Sequence, residues 1–259
     1  MPDSTAFVTI AQALRLASGH DPAASVAEAL GGSIDDAYVV QAINRQQWAA
    51  DGRRLTGYKA AFTTAEAQRL FGTTEPVYGT LFEDMRVDSG ATIPAGTLAA
   101  PKVEGEIVLE LGADLDGEDL DEDEIRAAVA AVYVALEIPD SSIGGKLTAV
   151  DMAASNAAGA AYVLGERHAV DANFDTAGIS LTMKHNGTQA SSGVSSVCMG
   201  DPVNVLVWLA RRLADSGIPM RAGQIVFAGS LVPILSAEPG DSFEADAGEL
   251  GSVSVTFGR

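Results

Sequence analysis

Apolar residues recur at helical spacing over the first fifty positions, and short runs of strand character replace them further on. Residues 6–30 are Ala-rich with apolar positions three and four apart, and Asp21-Pro22 punctuates the stretch. Ser33-Ile34-Asp35-Asp36 reads as a cap followed by acids in a first turn. From it the spacing predicts a helix to about residue 51, with Ala37, Val40, Ile43 or Asn44, and Trp48 on one side. The expected organisation is a helical portion over 1–54 and a β-rich domain over 55–259.

Beyond Leu55, β-type runs at 103–111, 132–138, 161–164, 178–185, 224–228 and 252–257 alternate with Gly, Pro and Asp turns. Two helices interrupt them. One is expected over 121–134, its end merging with an apolar run that also reads as strand. The other covers 202–216, with Val203, Leu206, Val207, Ala210 and Leu213 at helical spacing and Gly217 as its stop. The strand spacing is too irregular for repeating βαβ units, so the expected class is α+β with a mixed or antiparallel β-rich core.

Charge narrows the function. Among 259 residues, 35 are Asp or Glu and 16 are Lys or Arg, a formal net charge of −19. Such a balance excludes general nucleic-acid binding and docking on anionic lipid, which need a basic footprint. It would also repel a small anionic substrate unless a local cation or metal inverted the potential. With 47% hydrophobic residues the chain can bury a sizeable core. Cys198 is the single cysteine, which rules out intrachain disulfides and Cys-rich metal sites. The start Met1-Pro2-Asp3-Ser4 lacks the pattern of a secretory signal, and no apolar run reaches membrane-spanning length. A cytoplasmic protein is expected.

Two glutamate settings stand out. In Val103-Glu104-Gly105-Glu106-Ile107-Val108-Leu109-Glu110-Leu111, a period of two places Glu104, Glu106, Val108 and Glu110 on one face. Val103, Gly105, Ile107, Leu109 and Leu111 form an apolar face, so the carboxylates point into a cleft or into water. Glu137 lies within Val132-Tyr133-Val134-Ala135-Leu136-Glu137-Ile138-Pro139. A carboxylate buried there must be paired, protonated or metal-bound. Glu104, Glu106 and Glu137 would suit a hard divalent cation, Mg²⁺ or Mn²⁺. Lys59, in Gly57-Tyr58-Lys59-Ala60-Ala61, reads either as a surface lysine or as a cation that meets a substrate carboxylate or an acid–base step.

Other patterns carry less. Residues 113–124 hold eight acids in twelve positions but lack the order of a calcium-binding loop, and read as a solvated turn feeding the next helix. Gly144-Gly145-Lys146-Leu147 looks like the end of a phosphate-binding loop, yet Asp140 replaces its first glycine and Leu147 its Ser/Thr. No Gly-x-Ser-x-Gly elbow and no Gly-rich dinucleotide fingerprint occurs. His20, His168 and His185 lack metal or triad spacing.

Taken in order, these residues resemble the 2-oxopent-4-enoate hydratases and their 4-oxalocrotonate decarboxylase relatives, within the fumarylacetoacetate-hydrolase-like superfamily. The likeness runs from Asp36-Ala37-Tyr38 through Gly57-Tyr58-Lys59 and Glu75-Pro76-Val77-Tyr78-Gly79-Thr80-Leu81 to Pro101-Lys102-Val103-Glu104-Gly105-Glu106. It continues through Ala135-Leu136-Glu137, Gly200-Asp201-Pro202, Ala222-Gly223-Gln224 and Pro239-Gly240-Asp241, covering about residues 34–257. The resemblance implies a mixed β-sandwich or barrel-like roll behind an N-terminal helical portion, and a homo-oligomer. It implies Glu104, Glu106 and Glu137 as ligands of Mg²⁺ or Mn²⁺ and Lys59 as the catalytic lysine. Val77, Tyr78, Ser142 and Ser230 then fall at substrate-contacting positions, the substrate being a small 2-oxo or 2-hydroxy acid.

Several positions depart from that pattern. Val77 stands where the hydratases carry Asp, an apolar choice closer to the decarboxylases. Ser142 replaces an Arg, Ser155 an Asp before Asn156, and Ala61 a Gly. Gly229-Ser230-Leu231-Val232-Pro233 is closer to the hydratases. Three activities are therefore expected in turn: hydration of a short 2-hydroxydienoate, decarboxylation of a 2-oxo-3-enedioate, or keto-acid binding by a catalytically altered homologue.

Overall fold

The computed structural model describes residues 4–117 and 120–259. Helices α1 (Ser4–Leu16) and α2 (Ile34–Ala50) come first. Strands β1 (Leu55–Ala61), β2 (Val77–Phe82), β3 (Arg86–Val87), β4 (Thr92–Ile93) and β5 (Lys102–Leu111) follow, with α3 (Ala65–Phe71) between β1 and β2. Next are α4 (Glu122–Ala127), β6 (Val129–Pro139), α5 (Ala149–Ala154), β7 (Gly159–Leu164) and β8 (His168–Ala169). Strands β9 (Ser180–His185) and β10 (Thr188–Val194) lead to α6 (Pro202–Ala214). The chain then runs through β11 (Ile225–Ser230), β12 (Leu235–Ser236), β13 (Ser242–Asp246) and β14 (Ser252–Phe257).

Among the described residues the strands form two sheets. The larger runs β2-β1-β11-β5-β6-β7-β3, with β12 added to β5 and β8 to β6; the smaller runs β10-β9-β13-β14-β4. Pairing is mixed: β1 with β11 and β3 with β7 are parallel, whereas β5 is antiparallel to both β11 and β6. One apolar core joins the sheets, with Val103, Ile107, Leu109 and Leu136 meeting Leu181, Met183, Phe243 and Val255, and α6 adding Leu206 and Leu209. The α+β expectation is met in this curled, two-sheet form. No helix among the described residues is long and apolar enough to cross a membrane.

The N-terminal helices cover the other face of the large sheet. Ser33 caps α2 by accepting the Asp36 N–H at 3.1 Å, as its position before two acids predicts. Leu14, Ala37 and Val40 pack with Val77, Met152, Ala153 and Ala157 in a second core. The buried Asp151 binds this assembly together: its carboxylate accepts from the Val26 N–H and from the Ser25 and Thr148 hydroxyls. Of the helically spaced stretch 6–30, punctuated at Asp21-Pro22, the first part forms α1, which ends at Leu16. After it, Ser18 pairs with Asp21 ahead of Pro22, whose ring disfavours helical backbone in the preceding residue.

The helix expected over 121–134 is likewise shortened to Glu122–Ala127, and strand begins at Val129. Alanines at 127, 128, 130 and 131 suit either state. Pairing of Leu111 with Val129 and of Leu109 with Val132 decides for strand. The acid-rich run before it behaves as a helix lead-in: Asp121 caps α4 with Glu124 completing the box, and Asp114 and Asp116 both pair with Arg221. Residues 118 and 119 of that run lie outside the described residues. Among the described residues, β1, β2, β10 and β13 and the two-residue strands β3, β4, β8 and β12 lie outside the runs expected from the pattern.

Candidate active site

Register brings the glutamates together. Glu104 on β5 stands directly opposite Glu137 on β6, and Glu106 opposite Ala135, so all three project from the same face. Ligand oxygens from Glu104, Glu106 and Glu137 lie within 4.8 Å of one another. Lys59 comes from β1 on the same face, where Lys59 pairs with Phe227 and Phe227 in turn with Val108. Its Nζ lies 2.7 Å from Glu137 Oε1 and 3.0 Å from the Ala157 carbonyl oxygen. The surface reading of this lysine is excluded, since the Lys59 and Glu137 side chains are 3% and 1% exposed.

This carboxylate face is buried rather than solvated at Glu106 and Glu137, and remains partly exposed at Glu104 and Glu110. Val108, Ala135, Tyr162, Leu164 and Phe227 bury its remainder together with Leu81 and Phe82. Three carboxylates gather around one ammonium, in a place where an uncompensated charge is costly. Loss of water around the carboxyls, then repulsion from Glu137, pushes Glu104 up to about 7 and Glu106 well above the usual range. Burial works against the Lys59 ammonium, yet Glu137, Glu104 and Glu106 outweigh it and raise its pKa.

The donor set fits a hard divalent cation. Glu106 Oε1 and Glu137 Oε2 are buried without a hydrogen-bond partner, and Glu137 Oε1 meets only the Lys59 ammonium, which leaves carboxylate oxygens free for a cation. Only oxygen donors gather there, which favours Mg²⁺ or Mn²⁺ over softer ions. Glu106 Oε2 is held separately by the Gly229 N–H at 2.8 Å. Gly229 must be glycine: its φ is +101°, and an added Cβ would lie 2.0 Å from Thr63 Oγ1. The Cys198 thiol donates to the Gly229 carbonyl at 3.2 Å and is pushed up to about 12 by burial and then by Glu106, so it stays neutral.

The remaining expected site residues fall in different places. Val77 pairs with Ala61 and shares the carboxylate face, fully buried beside Phe62 and Ala157. Tyr78, one residue on, turns to the opposite face, where it stacks on Tyr38 with ring centroids 4.4 Å apart. Ser230 pairs with Glu106 across a register shift in β11, and its hydroxyl donates to the Val232 carbonyl at 2.8 Å. Ser142 lies in the turn after β6, where its carbonyl accepts the Ala23 N–H at 2.8 Å and ties that turn to the N-terminal segment. Ala61 ends β1 against the second core, and Ser155 closes α5 by donating to the Asp151 carbonyl. Thr63, Ala157 and Cys198 also border the cluster. Of these, only Thr63 lies near Lys59 in sequence, in Lys59-Ala60-Ala61-Phe62-Thr63.

Known proteins resemble the chain in sequence and in fold. The fumarylacetoacetate (FAA) hydrolase C-terminal family matches residues 56–257. A 2-keto-4-pentenoate hydratase of Paraburkholderia xenovorans (strain LB400) is 39% identical over 226 residues, 87% of this chain and 84% of its own. Another, from Burkholderia vietnamiensis (strain G4 / LMG 22486), is 34% identical over 260 residues, 99% of each chain. The structure of 4-oxalocrotonate decarboxylase from Pseudomonas putida G7, complexed with magnesium and adipate, superposes with a TM-score of 0.93 at 25% identity, covering 99% of both chains. By sequence and by fold, the chain belongs to the fumarylacetoacetate (FAA) hydrolase family, beside the 2-keto-4-pentenoate hydratases.

Proposed function

We propose that the chain is a divalent-metal-dependent hydratase that adds water to a short 2-hydroxydienoate, yielding a 4-hydroxy-2-oxo acid. The observation that carries this reading is the largely buried Glu104–Glu106–Glu137 cluster with Lys59 at its edge, in a chain 39% identical to a 2-keto-4-pentenoate hydratase. Glu104, Glu106 and Glu137 hold Mg²⁺ or Mn²⁺. Polarisation of the substrate's 2-oxo group, with compensation of its carboxylate charge, is the chemistry the bound cation supplies. That charge also answers the long-range repulsion set by the acidic composition.

The chain's own groups do the rest. Lys59, fixed between Glu137 and the Ala157 carbonyl, presents N–H donors beside the cluster and serves the proton transfers. In the reaction the enol proton moves to C5, after which water's hydroxyl bonds to C4 and its proton to C3. Val77 and Ser230 lie along the substrate's path on the carboxylate face, and Tyr78 backs the wall from behind. The apolar second core beneath Val77 excludes water from that side. The resemblance further carries a cytoplasmic homo-oligomer.

A second reading is decarboxylation of a 2-oxo-3-enedioate. It is favoured by the buried Val77 and by the likeness to a 4-oxalocrotonate decarboxylase at a TM-score of 0.93. Mn²⁺-supplemented protein mixed with 2-hydroxypentadienoate, and separately with 4-oxalocrotonate, tests both. Loss of dienol absorbance without carbon dioxide release supports hydration, and stoichiometric carbon dioxide supports decarboxylation. Silence on both substrates would sink the two together.

A further inference from the structure

Three consecutive non-glycine residues, Asn156, Ala157 and Ala158, adopt left-handed backbone with φ of 59°, 51° and 55°. Each is disfavoured by the approach of its Cβ to a carbonyl oxygen, and alanine has no side-chain hydrogen bond to offset it. Such a run persists only where the surroundings over-determine it. Here they do. β2 is the edge of the large sheet, and its outward backbone groups need partners. The Asn156 amide supplies them at Thr80 as a neighbouring strand would, accepting its N–H at 2.6 Å and donating to its carbonyl at 2.9 Å.

Two further features fit the turn into place. Gly79 lets it approach, since a Cβ there would lie 2.3 Å from the Asn156 carbonyl oxygen. The Ala158 carbonyl accepts the Asp140 N–H at 3.0 Å, three residues past Glu137. The result of this geometry is a single functional contact: the Ala157 carbonyl, aimed inward, meets Lys59 Nζ at 3.0 Å. Apart from Glu137, it is the partner that fixes the ammonium.

We propose that Asn156 is a positioning residue, which clamps the left-handed turn to the edge of β2 and thereby sets where Lys59 stands against the carboxylate cluster. This rests on the reading of Lys59 as the proton-handling group. The test compares Mn²⁺-loaded wild type, Asn156→Ala and Asn156→Ala/Ala157→Gly, by steady-state kinetics, Mn²⁺ calorimetry and crystal structures. In Asn156→Ala, kcat falls about 10²-fold as expected for an angstrom-scale misplacement. KM and Mn²⁺ affinity stay within about threefold, because no substrate or metal contact is removed. In the variant's structure Ala157 leaves positive φ and its carbonyl parts from Lys59. The glycine of the double variant tolerates the left-handed conformation and restores part of kcat.

Unchanged kcat, an unmoved Lys59, or a kcat loss matched by lost Mn²⁺ affinity would overturn the proposal. Should Asn156→Ala not fold, Asn156→Asp keeps the acceptor for the Thr80 N–H and is read by the same measurements; failure of both to fold makes the clamp purely structural and also overturns it. A wild type inactive on the dienoate defeats the hydratase reading, whereas the position of Lys59 in the variant structures still decides the clamp.

Discussion

Glu104 and Glu137 face each other across adjacent antiparallel strands, a pairing of like charges that sheets ordinarily avoid. It is tolerated in a largely buried setting because Glu137 leans on Lys59 and Glu104 is pushed up to about 7, so that near neutral pH it carries a proton part of the time. The pair is therefore poised to exchange that proton, and the repulsion it relieves, for a divalent cation.

Replacing Glu106 by Gln tests the ligand assignment. The side chain keeps its size and still accepts the Gly229 N–H, but loses its charge. Mn²⁺ affinity measured by calorimetry falls by more than about 100-fold, the upper range for changes one layer out from a metal. The metal-free variant keeps the wild-type circular dichroism and melts no lower at pH near 8. Retained affinity would sink the assignment.

The pH dependence follows from the same carboxyls. Both Glu104 and Glu106 are raised by burial and then by Glu137, so the folded state binds more protons than the unfolded chain, where glutamate titrates near about 4.3. Their stabilising contribution is fully present below that unfolded value and is lost as the pH rises through about 7. Lowered carboxylates elsewhere, such as Asp201 with Thr176 and Arg126, act in the opposite sense. The difference in melting temperature between metal-free wild type and Glu106→Gln isolates the cluster, and it widens in favour of the variant from about pH 5 to about pH 8. Mn²⁺ binding near pH 6.5 releases protons, read as a dependence of calorimetric heat on buffer ionisation enthalpy. Identical heats across buffers would contradict the raised carboxyls.

Lys59→Met separates chemistry from metal binding. The change removes a cation 2.7 Å from a ligand oxygen, so Mn²⁺ binds at least as tightly as in wild type. Turnover nevertheless falls by about 10²–10⁴-fold, the usual contribution of a positioned proton-transfer group. A variant that keeps its rate would show that Lys59 only balances charge.

Much of this site is legible along the chain and part of it is not. The period of two in 103–111 places Glu104 and Glu106 on one face without any tertiary information, and the apolar setting of Glu137 marks it as needing a partner. That these three meet depends on register between β5 and β6, a non-local property. The burial of their face is equally hidden, since Val108 alone among that strand's outward residues announces the apolar layer of Tyr162 and Phe227. Tyr78, which the resemblance sets beside Val77 at the substrate, is turned to the opposite face by strand alternation, a relation that sequence order alone does not show. The left-handed turn at Asn156–Ala158 carries no local signal at all, because alanine is a poor choice for such backbone and only the docking onto Thr80 and Gly79 imposes it.

Gly229 gives a last prediction, on how the strand end and the ion site depend on each other. Its N–H holds Glu106 Oε2, its carbonyl accepts the Cys198 thiol, and its missing side chain makes room for Thr63. Gly229→Ala confronts both a φ of +101° and a Cβ placed 2.0 Å from Thr63 Oγ1, so either β11 shifts or Thr63 turns away. The backbone conformation alone costs about 1–3 kcal/mol. Chemical denaturation should therefore show at least that loss, and Mn²⁺ affinity should weaken as Glu106 loses its backbone donor. Adding Thr63→Gly clears the contact with the threonine side chain but leaves φ unchanged. The double variant thus recovers the steric part and no more. Full recovery of both stability and Mn²⁺ affinity would mean that the left-handed backbone at Gly229 contributes nothing, and that crowding against Thr63 is the whole reason for glycine there.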